Sequence, residues 1–166
     1  KLACTEVFND KHNLRLVYDV AHNIVKIEEH MIDGKMKKLY VHRKGATRAF
    51  GPGNKELPED YIKVGQPIIL PGSMGTSSYI LVGTSEAMNE TFGSTAHGSG
   101  RTLSRHEAIR QFKPNDVIKD LESHHIMIKA GSKEGISEEA PQAYKNVDDV
   151  VKVSDEAGIG KIVARV

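Results

Sequence analysis

A histidine enclosed by glycines is the strongest candidate for chemistry in this sequence. His97 lies in the segment Gly93-Ser-Thr-Ala-His-Gly-Ser-Gly-Arg101. Glycines permit positive φ and let the backbone approach a ligand closely, and successive N–H groups in such a turn can bind an anion. Arg101 adds a positive charge. The segment is therefore a candidate phosphate-binding loop, although a surface loop with an incidental histidine has similar support.

A second glycine-rich turn, Leu70-Pro-Gly-Ser-Met-Gly-Thr-Ser-Ser78, follows a strand candidate and offers small hydroxyl side chains. It resembles a nucleotide cradle, but the absence of a GK[ST] sequence excludes a Walker motif. A plain β-hairpin connection is the alternative.

His22 stands beside polar residues in the segment Asp19-Val-Ala-His-Asn23. A neutral imidazole next to a carboxylate can be a metal ligand. One histidine is not a metal site, however, and no HxxH, HExxH or CxxC spacing accompanies it. From spacing alone, a structural histidine is favoured over a ligand.

Three cations, Arg43, Lys44 and Arg48, lie within six residues beside Gly45. A solvated charged turn is the default interpretation, and a patch that contacts phosphates is the alternative. The pair at 124–125 is interpreted as structural histidines at the mouth of a strand.

The elements that must position these residues change character along the chain. Ten of the fifteen glycines fall between Gly45 and Gly100, but strand-like runs interrupt this stretch, so we interpret it as function-bearing turns rather than a linker. The loose apolar spacing over residues 2–20 predicts a helix, and residues 22–32 fit a helix or a strand. Strands are predicted at 38–42, 67–70 and 78–82.

After Gly100 the sequence indicates a regular scaffold of helices and strands. Ser104 and Glu107 form a candidate capping box for a first helix that stops before Pro114. Asn115 is the predicted cap of a second helix, whose apolar face is Val117, Ile118 and Leu121. A strand is predicted at 125–130, a helix capped by Asn146 with Val147, Val150 and Val151 on one face and Gly158 after its end, and a final strand over 162–166.

Composition limits the class of protein. The chain has 166 residues, 39% of them hydrophobic, with a net charge of +1, which fits one domain or one lobe and excludes a strongly basic nucleic-acid coat. No apolar run approaches the roughly 18 residues of a membrane span, and no signal peptide is evident. Cys4 has no partner within the chain for a disulfide. A cytoplasmic location is expected, and an opening without methionine together with the apolar ending IGKIVARV predicts a fragment of a larger protein.

Taken together, several of these segments carry a family resemblance. DVAHN, VHRKGATRAFGPG, ILPGSMGTSSY, and GSTAHGSGR followed by SR occur in this order, and EEAPQAYK follows them. The set resembles the C-terminal part of the RtcB family of GTP-dependent RNA-splicing ligases. The resemblance implies an α+β fold of mixed sheets with flanking helices, in which residues 1–105 bear the site and residues 106–166 form the scaffold.

The resemblance also implies an activity. Family members join an RNA end with a 2′,3′-cyclic phosphate or 3′-phosphate to a 5′-hydroxyl end, as in tRNA splicing and RNA repair. They use GTP and Mn²⁺ and pass through a histidine–GMP intermediate. The implied partners are RNA such as tRNA exon halves, the N-terminal part of the same protein and archease as a candidate activating protein.

Roles carried over from the family fall on residues of the segments above. His97 matches the histidine that receives GMP, and His22 matches a metal ligand. The implied RNA-phosphate contacts are Lys44, Arg101 and Arg105. The implied nucleotide contacts are Asn23, Pro71, Gly72, Ser73, Met74, Ser78, Gly98, Ser99 and Gly100.

The chain departs from the family pattern at two places. The other family metal ligands, an Asp, a Cys and two His, belong to an upstream half, and Cys4 does not sit in their motif. A lysine near the family's C-terminus that contacts the nucleotide is also absent. Two alternatives stay open, a metal-dependent phosphoesterase that uses His97 and a non-catalytic nucleotide-binding module.

Overall fold

The computed structural model describes residues 2–7 and 14–166, which form an α+β fold as predicted. The strands are β1 (Ile24–Ile32), β2 (Lys35–Arg43), β3 (Ala46–Arg48), β4 (Pro67–Leu70), β5 (Tyr79–Val82), β6 (Ser94–Ala96) and β7 (Lys161–Arg165). The helices are α1 (Leu2–Val7), α2 (Ser85–Glu90), α3 (Arg105–Gln111), α4 (Pro114–Ser123), α5 (Lys133–Glu138) and α6 (Val147–Glu156), with short 3₁₀ turns at Glu59–Tyr61 and Pro141–Ala143. In the described ranges, no helix has the length and apolar character needed to cross a membrane.

Three small sheets organise the strands, in the orders β1-β2, β3-β6 and β4-β5-β7. Every strand pair in these sheets is antiparallel. The sheets therefore differ from the mixed pairing expected from the resemblance, although the α+β class and the flanking helices agree with it.

The segment 22–32 fits a helix or a strand by its sequence, and in the structure its residues 24–32 form strand β1 of the β1–β2 hairpin. Asp33 and Gly34 have φ of 52° and 73° between the paired residues Ile32 and Lys35. Positive φ at both central positions is the requirement of the two-residue Asp-Gly hairpin turn. The strand predicted at 38–42 is confirmed and extends over the whole of β2.

The sheet β4-β5-β7 forms the main core with helix α6. Ile68, Leu70 and Leu81 are almost completely buried and pack with Val147 and Val151. The predicted strands at 67–70, 78–82 and 162–166 are thereby confirmed, with bounds that differ by one residue for β5 and β7.

The predicted cap of α6 is confirmed as well. Asn146 Oδ1 accepts a hydrogen bond from the Asp148 N–H at 2.9 Å, and Gly158 follows the helix with φ of 69°. This is the usual pairing of an amide cap at the start and a left-handed glycine after the end.

Only one half of the predicted capping box of α3 forms. Ser104 Oγ accepts from the Glu107 N–H at 3.2 Å, as expected. The Glu107 carboxylate, however, accepts hydrogen bonds from Arg110 and Gln111 on the next turn instead of reaching back to Ser104. Arg110 and Gln111 thus occupy the carboxylate that the capping box would direct to the Ser104 N–H.

Two predictions around α4 are wrong. Its N-cap is Lys113 and its first residue is Pro114, because the fixed φ of proline suits the first helical position; Asn115 therefore lies inside the helix. The segment 125–130 is not a strand. His125, at φ 61°, donates to Glu122 O, and Ile126 donates to Leu121 O, which is a Schellman C-cap with histidine in the position usually held by glycine.

The apolar residues of that segment pack against helices instead of alternating across a sheet. Ile126 and Ile128 cover a second core formed by Val117, Leu121 and Ile136 of α4 and α5. The pair at 124–125 is exposed and does not lie at the mouth of a strand.

The helix predicted over residues 2–20 is confirmed for its first part. Among the described residues of this span, Leu2–Val7 is helical, whereas residues 14–20 have no regular secondary structure. The part of this prediction that falls on residues 8–13 lies outside the described residues.

Candidate functional site

The fold brings together the two histidines singled out in the sequence. The rings of His22 and His97 have their centroids 5.0 Å apart, with an angle of 37° between the ring planes. His22 is exposed just before β1, and His97 is half-buried directly after β6. Two imidazoles that are distant in sequence therefore share one surface.

The position of His97 depends on the turn before β6. Gly93 has φ of 61°, and a Cβ there would lie 2.6 Å from Phe50 Cδ1 and 2.7 Å from Met88 Sδ. Its carbonyl oxygen accepts from the Ala49 N–H at 2.7 Å. Glycine is required at this position by backbone conformation and by packing together.

The two glycine-rich segments meet next to His97. The Ser99 N–H donates to the carbonyl oxygen of Pro71 at 3.1 Å, and a Cβ at Gly98 would lie 3.4 Å from the same oxygen. Within the second segment, Thr76 Oγ1 accepts from the Ser73 N–H at 2.7 Å. The loop 71–78 and the loop 97–100 therefore form one continuous backbone surface beside the imidazoles.

A cavity of about 460 Å³ opens from the loop 71–78. This volume falls in the range of small-molecule sites, roughly 300–1,000 Å³. Its walls come from this loop, from the segment before and at the start of α6, and from β7. The lining residues that carry hydroxyl, amide, aromatic or charged side chains are Ser73, Thr76, Ser77, Gln142, Tyr144, Lys145, Asn146, Asp148 and Arg165.

Sequence reasoning missed the second wall of this cavity. The segment EEAPQAYK contributed to the family resemblance without any assigned role, and the scaffold 106–166 was expected to stay outside the site. Tyr144 and Asp148 belong to that scaffold and face the same space as Ser73. Nothing in the local spacing of the sequence indicates that these segments approach each other.

A hydrogen bond fixes one carboxylate of this wall. Tyr79 donates from its hydroxyl to Asp148 Oδ1 at 2.6 Å, and Arg165 lies 3.7 Å from Asp148 Oδ2. The hydrogen bond to the Asp148 carboxylate is the largest cause that raises the pKa of Tyr79 above 10.0, and burial is the second. The positive charge of Arg165 lowers this pKa but does not cancel the increase. The Tyr79 hydroxyl is therefore a fixed donor to Asp148 in the wall of the cavity.

Arg101 is held by the chain itself. Its guanidinium donates to Leu103 O at 3.0 Å, to Tyr144 Oη at 2.8 Å and to Glu138 O at 2.6 Å, and it lies 4.7 Å from the centre of the Tyr144 ring. Burial and a hydrogen bond to Glu139 raise the pKa of Tyr144, while Arg101 opposes this. A phosphate at Arg101 would have to share or replace these partners.

The other two predicted RNA contacts are more accessible. Arg105 is exposed and forms an ion pair with Glu138. Lys44 is exposed in the turn between β2 and β3.

The three clustered cations are not equivalent. Arg43 is buried and bound to Glu28. Arg48 lies 4.6 Å from the centre of the Phe50 ring and pairs with Glu56 at 3.3 Å. Of these three cations, Lys44 is exposed, whereas Arg43 is buried and Arg48 is partly buried, so a solvated turn or a phosphate contact at this place would depend mainly on Lys44.

The residues present fit a nucleotide better than they fit a complete metal site. Within residues 2–7 and 14–166, no group of three or more His, Cys, Asp or Glu side chains is close enough to hold a metal ion. His22 offers one imidazole ligand, and Cys4 is exposed. The hydroxyl groups of the loops 71–78 and 97–100 can donate to phosphate and sugar groups, whereas the N–H groups of Ser73, Ser78 and Ser99 are engaged within the chain.

Comparison with known proteins identifies the family of the chain. The family model described as tRNA-splicing ligase RtcB matches residues 1–166. A tRNA-splicing ligase RtcB of Archaeoglobus fulgidus is 62% identical over 94% of this chain and 32% of its own length. Those of Pyrococcus abyssi and Nanoarchaeum equitans are 59% and 58% identical over 92% of this chain, and over 17% and 32% of their own lengths.

The chain thus spans about a third or less of the curated relatives it matches. The family match nevertheless runs from the first residue to the last, across both histidines and both glycine-rich loops. This chain belongs to the RtcB family of tRNA-splicing ligases.

Proposed function

We propose that this chain carries the nucleophile-bearing part of an RNA ligase. The ligase joins a 2′,3′-cyclic phosphate or 3′-phosphate RNA end to a 5′-hydroxyl end through a histidine–GMP intermediate. The observation that carries the proposal is the placement of His97 beside His22, at the junction of two glycine-rich loops. A phosphate-binding loop and a nucleophilic imidazole at one point are what nucleotidyl transfer requires.

His97 supplies the nucleophile in this proposal. Imidazole is largely neutral near pH 7 and keeps a nitrogen lone pair. That nitrogen forms a bond to the α-phosphorus of GTP, pyrophosphate leaves, and the imidazole proton passes to solvent. A 2′,3′-cyclic phosphate end is first opened by water to the 3′-phosphate. An oxygen of this 3′-phosphate then bonds to the phosphorus of GMP as the bond from that phosphorus to His97 breaks. The 5′-hydroxyl oxygen, which gives up its proton to solvent, attacks the RNA phosphate and expels GMP.

The two loops bind the nucleotide. Gly98 and Gly100 let backbone come close to the phosphates. The Ser99 N–H is engaged with Pro71 O, so a nucleotide contact by Ser99 would use its hydroxyl. The remaining proposed contacts are Asn23, Pro71, Gly72, Ser73, Met74 and Ser78, and the neighbouring 460 Å³ cavity offers room for part of the nucleotide.

The metal and the partners belong to the whole ligase. Mn²⁺ would supply charge stabilisation at the phosphoryl oxygens, and His22 would provide one of its ligands. Further ligands would come from the part of the family's length that this chain does not span. RNA such as tRNA exon halves is the proposed substrate, with Lys44, Arg101 and Arg105 at its phosphates, and archease is the proposed activating protein.

The proposed division of the chain into a site-bearing part and a scaffold changes in one respect. Residues 1–105 remain the proposed site-bearing part, and residues 106–166 the scaffold. The scaffold also contributes Tyr144 and Asp148 to the cavity wall.

Retention of labelled GMP tests the proposal directly. The full-length protein that contains this chain is incubated with GTP labelled at the α-phosphate, denatured and separated on a gel. We expect His97→Asn to abolish the adduct, since an amide cannot form the phosphoramidate. His22→Ala should slow adduct formation while leaving the nucleophile in place.

His106→Asn is the matched control, because His106 lies exposed on α3. An adduct that survives His97→Asn would move the nucleophile to another residue. Absence of any retained GMP, accompanied by hydrolysis of a phosphate ester, would instead favour a metal-dependent phosphoesterase.

A further inference from the structure

A buried ion-pair network connects the β1–β2 hairpin to the turn that precedes β6. Glu28, His30 and Arg43 are each 3% exposed or less. Arg43 donates from Nη1 and Nη2 to the two carboxylate oxygens of Glu28, at 2.6 and 2.8 Å. His30 Nε2 lies 3.0 Å from Glu28 Oε2. This two-point pairing fixes the plane of the Arg43 guanidinium.

The remaining donors of the guanidinium bind the turn itself. Arg43 Nε donates to Ser94 Oγ at 2.9 Å, and Nη2 donates to the carbonyl oxygen of Phe92 at 2.8 Å. The His30 ring meets the Phe92 ring edge-on, with centroids 5.1 Å apart. Each member of the network therefore acts, directly or through a neighbour, on residues 92–94.

The turn has an unfavourable backbone conformation that needs such support. Phe92 and Gly93 have φ of 52° and 61°, and a bulky side chain rarely adopts the left-handed region. β6 begins one residue later at Ser94 and pairs with β3 along its whole length, from Ser94 to Ala96. His97 follows at once, so the turn determines where the imidazole lies.

We propose that Arg43, oriented by Glu28 and His30, is a positioning residue for His97. It holds the left-handed turn at Phe92–Gly93, sets β6 against β3, and so places the imidazole beside His22 and the loop 71–78. The network lies at the end of β6 opposite to His97 and acts only through the backbone. The proposal rests on the proposed role of His97 as nucleophile.

The variant Arg43→Lys distinguishes a positioning role of Arg43 from a role in balancing the charge of Glu28. An ammonium group can neutralise Glu28, but it lacks the planar set of donors that reaches Glu28, Ser94 and Phe92 together. Removing both charges, with Glu28→Gln and Arg43→Met, is a second variant. Removing both charges avoids the strongly destabilising case of one unpaired buried charge, whereas the turn still loses its side-chain support from Arg43.

The experiment measures adduct formation and local order on the same full-length variants. Single-turnover formation of the GMP adduct is followed against GTP concentration for Arg43→Lys and for the double variant. We expect the maximal rate to fall roughly tenfold or more, as for a misplaced reacting group. The half-saturating GTP concentration should stay within about twofold, because the nucleotide-binding loops are untouched.

Hydrogen exchange gives the second readout, which does not depend on chemistry. The amides of residues 94–97 and of Ala49, which donates to Gly93 O, should exchange faster in both variants. The amide of Val151, in the buried core of α6, should keep its wild-type protection. Arg48→Lys is the matched control. Both guanidiniums lie near the Phe50 ring, at 6.0 Å for Arg43 and 4.6 Å for Arg48, but Arg48 donates to Gln66 and Glu56 instead of Glu28 and Ser94.

Each outcome decides the proposal. A wild-type rate and wild-type protection at 94–97 in Arg43→Lys would overturn it. A lowered rate with equally accelerated exchange at Val151 would also overturn it, because the loss would then be global destabilisation. If the wild-type protein forms no adduct, the proposed function fails, and selective exchange at residues 94–97 still decides whether Arg43 holds the turn.

Discussion

Gly93 is the residue at which local conformation and packing impose the same demand. We expect Gly93→Ala to destabilise the protein by about 3 kcal/mol, from left-handed strain of roughly 1–2 kcal/mol and overpacking of roughly 1–3 kcal/mol. The added methyl would meet Phe50, which is 1% exposed and has no room to move. Urea denaturation measures the free energy of unfolding.

Gly100→Ala is the control for that prediction. Gly100 has φ of 73°, but a Cβ there meets no atom within 4 Å, so the loss should be about 1 kcal/mol from the backbone alone. Equal losses in the two variants would show that the contact with Phe50 is relieved at little cost.

Ser73 and Lys44 separate the proposed nucleotide contacts from the proposed RNA contacts. Ser73 lines the cavity of the loop 71–78, and Lys44 is exposed between β2 and β3. Ser73→Ala should lower the yield of the GMP adduct and leave RNA affinity nearly intact. Lys44→Ala should spare the adduct and flatten the salt dependence of RNA binding by roughly one unit of log–log slope.

Arg101→Ala is tested with the same two assays, adduct yield and RNA affinity, but its expected result differs from that of Lys44→Ala. Because Arg101 also holds Tyr144 and Glu138, its loss should reduce RNA-dependent steps and lower the melting temperature together. The division of the site would be wrong if Lys44→Ala lowers adduct yield as much as Ser73→Ala while RNA affinity is unchanged.

Among the elements, the β1–β2 hairpin has a pH-dependent contribution to stability. Burial raises the pKa of Glu28, but the hydrogen bonds and charges of Arg43 and His30 outweigh it and hold the pKa below 4.5. A carboxylate whose pKa is lower in the folded state stabilises the protein above the unfolded pKa. That stabilisation is lost as the pH falls through the folded value.

We therefore expect Glu28→Gln to flatten the dependence of stability on pH on the acid side of 4.5, measured by the midpoint of thermal unfolding. Glu29→Gln is the control, since Glu29 is exposed on the other face of the same strand. An unchanged acid slope in Glu28→Gln would show that the ion pair does not contribute through its ionisation.

Some helices and strands are predicted well from the sequence, and others are not. Strands β4 and β5 and helix α6 were found because their apolar spacing and caps are local features. The segment 125–130 has the alternation of a strand, but its isoleucines pack beneath α4 after a Schellman turn. Helices α2 and α5 have six residues each, too few for a helical period to stand out.

The candidate site is predictable from the sequence only where local residues mark it. His97 and the loop 71–78 are marked by their own glycines, so composition alone drew attention to them. The contact between His22 and His97 and the cavity wall at Tyr144 depend on long-range packing. The three cations at 43–48 look alike in sequence, and only the fold shows that Arg43 is buried against Glu28.

For the molecule as a whole, we predict that these 166 residues alone will not ligate RNA. Among the residues that the structure describes, His22 lacks companion ligands, and one histidine binds a metal too weakly to polarise a phosphate. The assay is multiple-turnover joining of a 2′,3′-cyclic phosphate end to a 5′-hydroxyl end, with the full-length protein as positive control. Joining by the 166 residues would show that the chain holds a complete site.

The exposed face of the β1–β2 hairpin affects how the isolated chain behaves in solution. Its inner face carries the ion pair, while its outer face presents Val25, Ile27, Met31, Met36 and Tyr40, each 52–72% exposed. Among the described strands, neither edge of this hairpin has a further partner. An exposed apolar surface with unpaired strand edges favours self-association. Salt screens charges, and sulfate or phosphate strengthens apolar association. Concentrated sulfate or phosphate buffers would therefore promote aggregation of the isolated chain, and dilute, low-salt solutions would keep it dispersed.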